Sequence, residues 1–498
     1  MKIKKVFFFA ILFLLSLSLC GCSEFRNTFS GFWGNVEKTG KNSHEFTSPD
    51  EEWQMPVSVN HENPSDEIYF FSSNENVATV SETGVIKPVS NGTAVITAAY
   101  LDGSDLISVR VSVSFSDNSS EEASESLTKE DLRGVWVSTV WNIDFPSESG
   151  LSEEQLKSEI DEIMTNAASW GLNAVFFQVR PMSDSVYPSS IFPSSSFITG
   201  EQGGELPFDI LEYAVAAAHE NGLELHAWIN PFRISFSSLY STNSESLAET
   251  NPARLHPEYT VEFENALYYN PGLPEVREMV VSEVEEIINN YDVDGIHFDD
   301  YFYPSGSSEE GAFDDSDAYE KYGGGLSLSD WRRENVNSLI KEVHNVVKEK
   351  SSDVVFGVSP GGIWATKQNN EEGVEGLGNT SQTYYDVYAD TKKWVEDKIV
   401  DYICPQIYWH IDSSIAPFEP IAEWWSDLCD RCDVDLYVGI AAYKGESSSA
   451  YQTPDEIKNE ISYLQTLSRC DGEVYFSYSS LEENLAQVVD TLKEIYSD

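Results

Sequence analysis

One stretch gathers more reactive side chains than any other in the chain: Asp294-Gly-Ile-His297-Phe-Asp299-Asp300-Tyr301-Phe-Tyr303-Pro304. It reads as a short strand that ends in two adjacent carboxylates. Three other runs finish in a similar way. One closes with Gln178-Val-Arg180 and, just beyond, Asp184; another with His226-Ala-Trp228-Ile-Asn230-Pro-Phe-Arg233; a third with Gln406-Ile-Tyr408-Trp409-His410. Carboxylates among amide, imidazole, guanidinium and aromatic groups suit cleavage of a glycosidic bond. One carboxylic acid protonates the leaving oxygen, and one carboxylate attacks the sugar or activates water.

Side chains alternate between the two faces of a strand, so Asp299 and Asp300 diverge while His297 and Asp299 share a face. Asp299 is therefore the expected nucleophile or stabiliser, with Asp300 orienting loops or binding substrate. For the acid, Asp184 is the first candidate, followed by Asp300, Asp386 and Asp144, although a loop aspartate is more often a cap or turn former. Arg180, His226 and Gln406 are candidate donors to hydroxyl or N-acetyl groups, and Trp228, Tyr408 and Trp409 candidate stacking surfaces. Gln178, Asn230, His297, Tyr301 and Lys444 complete the expected substrate-binding set. Each could instead be a buried, satisfied core residue. His and Asp at positions 226, 297, 299 and 410 could also assemble a zinc or manganese site, as in a metal-dependent deacetylase. No compact motif such as H-E-x-x-H is present, and no metal or other cofactor is expected.

The elements that must position these groups recur from Arg133 onward. Eight β-type runs begin at Gly134, Ala174, Leu223, Gly295, Val354, Tyr402, Leu436 and Glu473. Helix-like stretches separate most of them, among them Glu153 to Trp170, Pro207 to Asn221, Pro274 to Asn290, Leu328 to Lys350 and Tyr385 to Lys398. That alternation predicts an α/β fold, a (β/α)8 TIM barrel with enlarged loops, whose active site lies at the C-terminal ends of its strands. An open doubly wound sheet is the other arrangement, but no G-x-G-x-x-G follows a strand.

Seven ordered stretches resemble the glycosyl-hydrolase-like family ten barrel of bacterial envelope lipoproteins. They are Arg133-Gly-Val-Trp136, Phe177-Gln-Val-Arg180, His226 to Arg233, Val293 to Tyr303, Gly357 to Trp364, Asp401 to Trp409 and Gly439 to Lys444. The resemblance implies a TIM-barrel glycosidase with peptidoglycan glycan strands as its substrate class. The Asp-Gly-x-x-x-Asp stretch is also similar to the nucleophile strand of the α-amylase and α-galactosidase superfamilies, a similarity that selects Asp299.

The remaining sequence sets the context. Met1 to Leu19 has a basic start and an apolar run, the plan of a secretory signal. It runs into Leu19-Cys20-Gly21-Cys22, which resembles a lipobox with Cys22 as the lipidated residue. The expected order is a signal over 1–21, a flexible tether over 22–49, a β domain over 50–115, an acidic Ser-rich linker over 116–130 and the barrel over 131–498. The β domain resembles the bacterial immunoglobulin-like group 2 module through Ser72-Ser-Asn-Glu-Asn-Val-Ala-Thr-Val80, Gly84-Val-Ile86 and Gly92-Thr-Ala-Val-Ile-Thr-Ala98. Such modules are usually spacers or adhesion units. The 84 acidic residues against 30 Lys and Arg give a net charge of −54, which disfavours nucleic acid as a partner. The 12 Trp and 25 Tyr fit stacking on sugar as well as core packing. Of the six cysteines, two lie in the export segment; Cys404, Cys429, Cys432 and Cys470 are left for the folded protein. Together these features predict a lipid-anchored monomer of the cell envelope, outside the cytoplasm, acting on a polysaccharide. A carbohydrate-binding barrel without catalysis and an adhesion protein are the remaining alternatives.

Overall fold

The computed structural model describes residues 131–496 except 308–311 and 446–447, together with parts of 36–113. The expected signal, Cys22 and the Ser-rich linker lie outside the described residues. The chain divides into two units at Thr128/Lys129.

In the N-terminal unit, strands Ser43–Phe46, Ile107–Val113, Gly92–Tyr100 and Ile68–Ser72 lie side by side in that order in one sheet. A three-stranded sheet orders Trp53–Gln54, Val85–Pro88 and Ala78–Val80. Phe46, Met55, Ile86, Ile96, Val109 and Val111 form a buried apolar cluster with members in both sheets. The unit starts earlier than the sequence reading placed it. Ser43–Phe46 pairs in parallel with Ile107–Val113 and buries Phe46, so the end of the expected tether belongs to the fold. Its few short residues carry little periodicity from which a strand could be read.

The second unit is a closed barrel of eight parallel strands: β1 Leu132–Val137, β2 Ala174–Arg180, β3 Glu224–Ile229, β4 Gly295–Phe298, β5 Val355–Val358, β6 Tyr402–Ile403, β7 Asp435–Ile440 and β8 Gly472–Tyr475. β8 pairs with β1 and closes the ring. After each strand comes one principal helix: α1 Glu153–Ser169, α2 Ile210–Glu220, α3 Pro274–Asn290, α4 Leu328–Lys350, α5 Thr391–Glu396, α6 Phe418–Cys432, α7 Asp455–Leu464 and α8 Val488–Ile495. In α1, Leu156, Ile160, Ile163, Met164 and Ala167 recur at helical spacing and are buried. Ser152 and Gln155 close its start in a reciprocal capping box.

Alternation along the strands divides the core into two layers. Val175, Phe177 and Val179 of β2 join the large cluster beneath the helices, while Ala174 and Phe176 face the barrel interior with Trp136, Trp228, Tyr402, Tyr437 and Val474. Glycines make room for this crowded interior. A Cβ on Gly295 would lie 2.3 Å from His226 Nδ1, and one on Gly357 would lie 2.1 Å from the Tyr402 ring. β6 is shorter than expected because Pro405 has no N–H to donate; beyond it Gln406 makes only isolated bridges to Gly361 and Gly439. The loop after β3 carries an antiparallel hairpin, Thr260–Phe263 with Ala266–Tyr269, that was not anticipated.

Candidate active site

β4 carries the centre of the site. His297 and Asp299 project from the same face, His297 within the interior and Asp299 at the strand's C-terminal end, and both are buried. The Asp299 carboxylate accepts hydrogen bonds from Trp228 Nε1 at 3.1 Å and from the Tyr301 backbone N–H at 3.2 Å. Burial pushes its pKa up to about 8, with the charge of Asp300 adding to the rise and Arg233 opposing it. Asp300 keeps some solvent access. Its pKa is pushed up to about 6, again chiefly by burial, against its own backbone N–H, Arg233 and the Gln406 side chain.

Adjacent and coupled, the two carboxyls titrate as a pair. Between about pH 6 and 8 that pair retains one proton, so one acid and one carboxylate coexist at neutral pH. This is the protonation state that glycosidic cleavage requires.

Beneath Asp299, His297 is held by three partners. Trp136 Nε1 donates to its Nε2 at 3.2 Å, Ser359 Oγ lies 2.8 Å from the same nitrogen, and Tyr402 Oη lies 2.9 Å from Nδ1. An indole N–H can only donate, so Nε2 accepts and Nδ1 carries the hydrogen. Burial, reinforced by His226, pulls the His297 pKa well below its usual value and keeps the ring neutral. Tyr402 Oη continues to His226 Nδ1 at 3.1 Å, and His226 Nε2 lies 3.3 Å from Glu224. His226 thus sits deep in the interior, over Gly295, rather than at the mouth.

Tyr301, Tyr408 and Trp228 also act at the pair, whereas Lys444 and Trp409 are placed through other partners. Tyr301 and Tyr408 both feel the charge of Asp300. Trp228, only 5% exposed, offers its N–H to Asp299 rather than an open ring face. Lys444 Nζ donates to the Tyr408 carbonyl. Trp409 is half-buried against the main core.

Others act on the loops. Gln178 Oε1 accepts from the Thr139 and Val140 backbone N–H groups at 3.0 and 2.9 Å and thereby fixes the turn after β1. Asn230 Oδ1 accepts from Arg233 N at 3.2 Å. Arg180 departs from the strand alternation that would line it up with Gln178. A bulge between Gln178 and Arg180 places it opposite Ile229, an outward-facing residue, and its guanidinium reaches Glu283 of α3 at 3.3 Å with both side chains fully buried.

Asp184 is fully buried and accepts from Gln202 Nε2 at 3.0 Å; Gln202 in turn accepts from Ala248 N and Asn251 Nδ2. Burial raises its pKa to about 6, but it shares no hydrogen-bond partner with Asp299 or Asp300. Asp144 clamps Ser138 N, Ser477 Oγ and Ser479 N across the β8–β1 seam, and Asp386 accepts from Gln382 N. Among the described residues, no three of His, Cys, Asp or Glu are grouped to hold a metal ion. The four cysteines outside the export segment are all free.

Arg233 closes a polar strand end that the sequence singles out, although the sequence gives it no role of its own. Its guanidinium lies over Tyr301 at 4.3 Å and Phe236 at 4.6 Å and lowers the pKa of both carboxyls. Its position just beyond a polar strand end was the available signal. Trp136, Ser359 and Tyr402 were passed over as supports of His297, because only strand order brings them together.

Residues 131–455 match the glycosyl hydrolase-like 10 family. The chain is 37% identical over 372 residues to glycosyl hydrolase YngK of Bacillus subtilis strain 168, covering 74% of this chain and 72% of that protein. It is 34% identical over 388 residues to glycosyl hydrolase DigH of Escherichia coli K12, covering 73% of this chain and 87% of that protein. The glycoside hydrolase domain of PgaB (BpsB) from Bordetella bronchiseptica is similar in structure, with 12% identity, coverage of 74% of this chain and 98% of that one, and a TM-score of 0.48. The family match and the two glycosyl hydrolase relatives at 37% and 34% identity decide the assignment: the chain belongs to the glycosyl hydrolase-like 10 family and is a glycoside hydrolase.

Proposed function

We propose that this hydrolase is anchored by a lipid on Cys22 at the cell envelope and cleaves the glycan strands of peptidoglycan, with Asp299 and Asp300 as its working carboxyls. The observation that carries the reading is the pair of adjacent carboxyls at the end of β4, Asp299 buried and held by two N–H donors beside a partly accessible Asp300, with raised pKa values that let the pair hold one proton across neutral pH. Two N–H donors fix the Asp299 carboxylate for the anomeric carbon. In the free enzyme its charge is costly. A developing oxocarbenium ion supplies the missing counter-charge, so the carboxylate is favoured in the transition state more than in the ground state. The proton that Asp299 releases as it ionises goes to the leaving oxygen. Asp184, tied into the loop after β2, supports that loop rather than donating the proton.

The envelope location and the substrate rest on the lipobox-like Leu19 to Cys22 and on the family resemblance. The N-terminal β unit is proposed as an immunoglobulin-like spacer. The test is release of reducing ends from purified glycan strands, with and without stem peptides, by wild type, Asp299→Asn and Asp184→Asn at matched folding. Loss of release in Asp299→Asn with substantial retention in Asp184→Asn is expected. Equal release by wild type and Asp299→Asn overturns the assignment, and binding without release by wild type overturns the substrate.

A further inference from the structure

Within the barrel unit, Trp141 combines an exposed apolar ring with an unfavourable backbone. It is 46% exposed, its φ is 58° and ψ 17°, and Asn142 after it has φ 53°. Two successive non-glycine residues in the left-handed region are uncommon and persist only where their surroundings over-determine them. Here they do. Gln178 Oε1 accepts from the N–H groups of Thr139 and Val140, and Asp144 Oδ2 accepts from Ser138 N at 2.8 Å. Asn142 Nδ2 donates to the Phe197 carbonyl at 2.9 Å. The Trp141 ring leans on Phe197 at 5.6 Å and Phe236 at 5.0 Å. Three buried or half-buried polar side chains thus hold a strained turn whose effect is to present an indole to solvent.

The indole is continuous with the site. Phe236 lies 4.6 Å from the Arg233 guanidinium, Arg233 lies 4.3 Å from the Tyr301 ring, and the Tyr301 backbone N–H donates to Asp299 at 3.2 Å. Trp141, Phe236 and Tyr301 all follow the C-terminal ends of barrel strands, so they lie at the same mouth. An indole suits the apolar C–H face of a pyranose, whose hydroxyls stay in water at its rim.

We propose that Trp141 is a sugar-stacking platform, a subsite that binds a pyranose ring of the chain beyond the units flanking the cleaved bond. It makes the enzyme favour long chains over short ones. The proposal rests on reading the mouth as a glycan site. It explains why Gln178, an interior amide, is spent on the turn after β1.

The test compares wild type, Trp141→Ala and Trp141→Phe at matched melting temperature on peptide-stripped glycan strands sorted by length. Trp141→Ala should raise KM on long strands by about tenfold, the size of an aromatic contact, with kcat nearly unchanged and little effect on the shortest cleaved oligomers. Trp141→Phe should recover most of the loss. Affinity electrophoresis in gels containing the same strands gives an independent reading of Asp299→Asn with and without Trp141→Ala. Equal retardation of the two, or a KM unchanged at every length, overturns the platform while the Asp299 assignment stands. Full activity in Asp299→Asn overturns that assignment while retardation still decides Trp141. No retardation or cleavage of strands by wild type overturns both.

Discussion

Replacing Asp299 by asparagine should abolish turnover and, at neutral pH, make the barrel more stable. The folded-state pKa is raised to about 8, against about 3.9 in an unfolded chain. A group raised in this way contributes its stability in full below about pH 4 and loses it as pH rises toward 8, because the unfolded state ionises first. Each pH unit in that window costs about 1.4 kcal/mol, so between pH 4 and 7 this one carboxyl removes on the order of 4 kcal/mol from the native state. Asparagine has no such ionisation. Its single side-chain oxygen can serve Trp228 Nε1 or the Tyr301 N–H but not both, a pH-independent loss of about 1 kcal/mol. The variant should therefore melt level with wild type or slightly below it at pH 4.5. At pH 7.5 it should melt several degrees above, at roughly 2 °C per kcal/mol. Melting curves by circular dichroism over that range read the difference directly. A melting-temperature difference that does not change between pH 4.5 and 7.5 would refute the reasoning, since only ionisation at Asp299 makes it pH-dependent.

Three further outcomes follow from the same structure. The pH profile of kcat/KM should be a bell with limbs near 6 and 8, and in any residual activity of Asp300→Asn the basic limb should move to lower pH because the charge raising Asp299 is gone; an unmoved limb would assign it to another group. Arg180→Met strands Glu283 without its buried partner and should destabilise the barrel in denaturant unfolding, more strongly above about pH 7 where Glu283 ionises, with KM unchanged, whereas a raised KM at unchanged stability would put Arg180 in the substrate site. Gly295→Ala forces a Cβ to within 2.3 Å of His226 Nδ1 and should destabilise by about 1–3 kcal/mol through overpacking; an unchanged melting temperature would mean that His226 has room to move.

The barrel was legible because its signals are local. β2 begins and ends where its apolar run does, and α3 and α4 span the residues expected of them. Period-two alternation alone placed His297 and Asp299 on one face, and in the structure both sit on the interior side of β4. What followed from neighbours in space could not be read along the chain. The bulge that turns Arg180 toward Glu283 is a property of the β2–β3 ladder. Gln178 is consumed by backbone N–H groups 38 and 39 residues away, which leaves a sequence no way to separate it from a substrate ligand. The same holds for the pKa of Asp299, set by burial and by Asp300 rather than by its own type. Residue type and spacing, then, determined the kind of barrel and the strand that ends in the adjacent carboxyls. Closure of the barrel decided which polar groups reach the mouth and which are spent inside, because burial and hydrogen-bond satisfaction are settled only when distant strands meet.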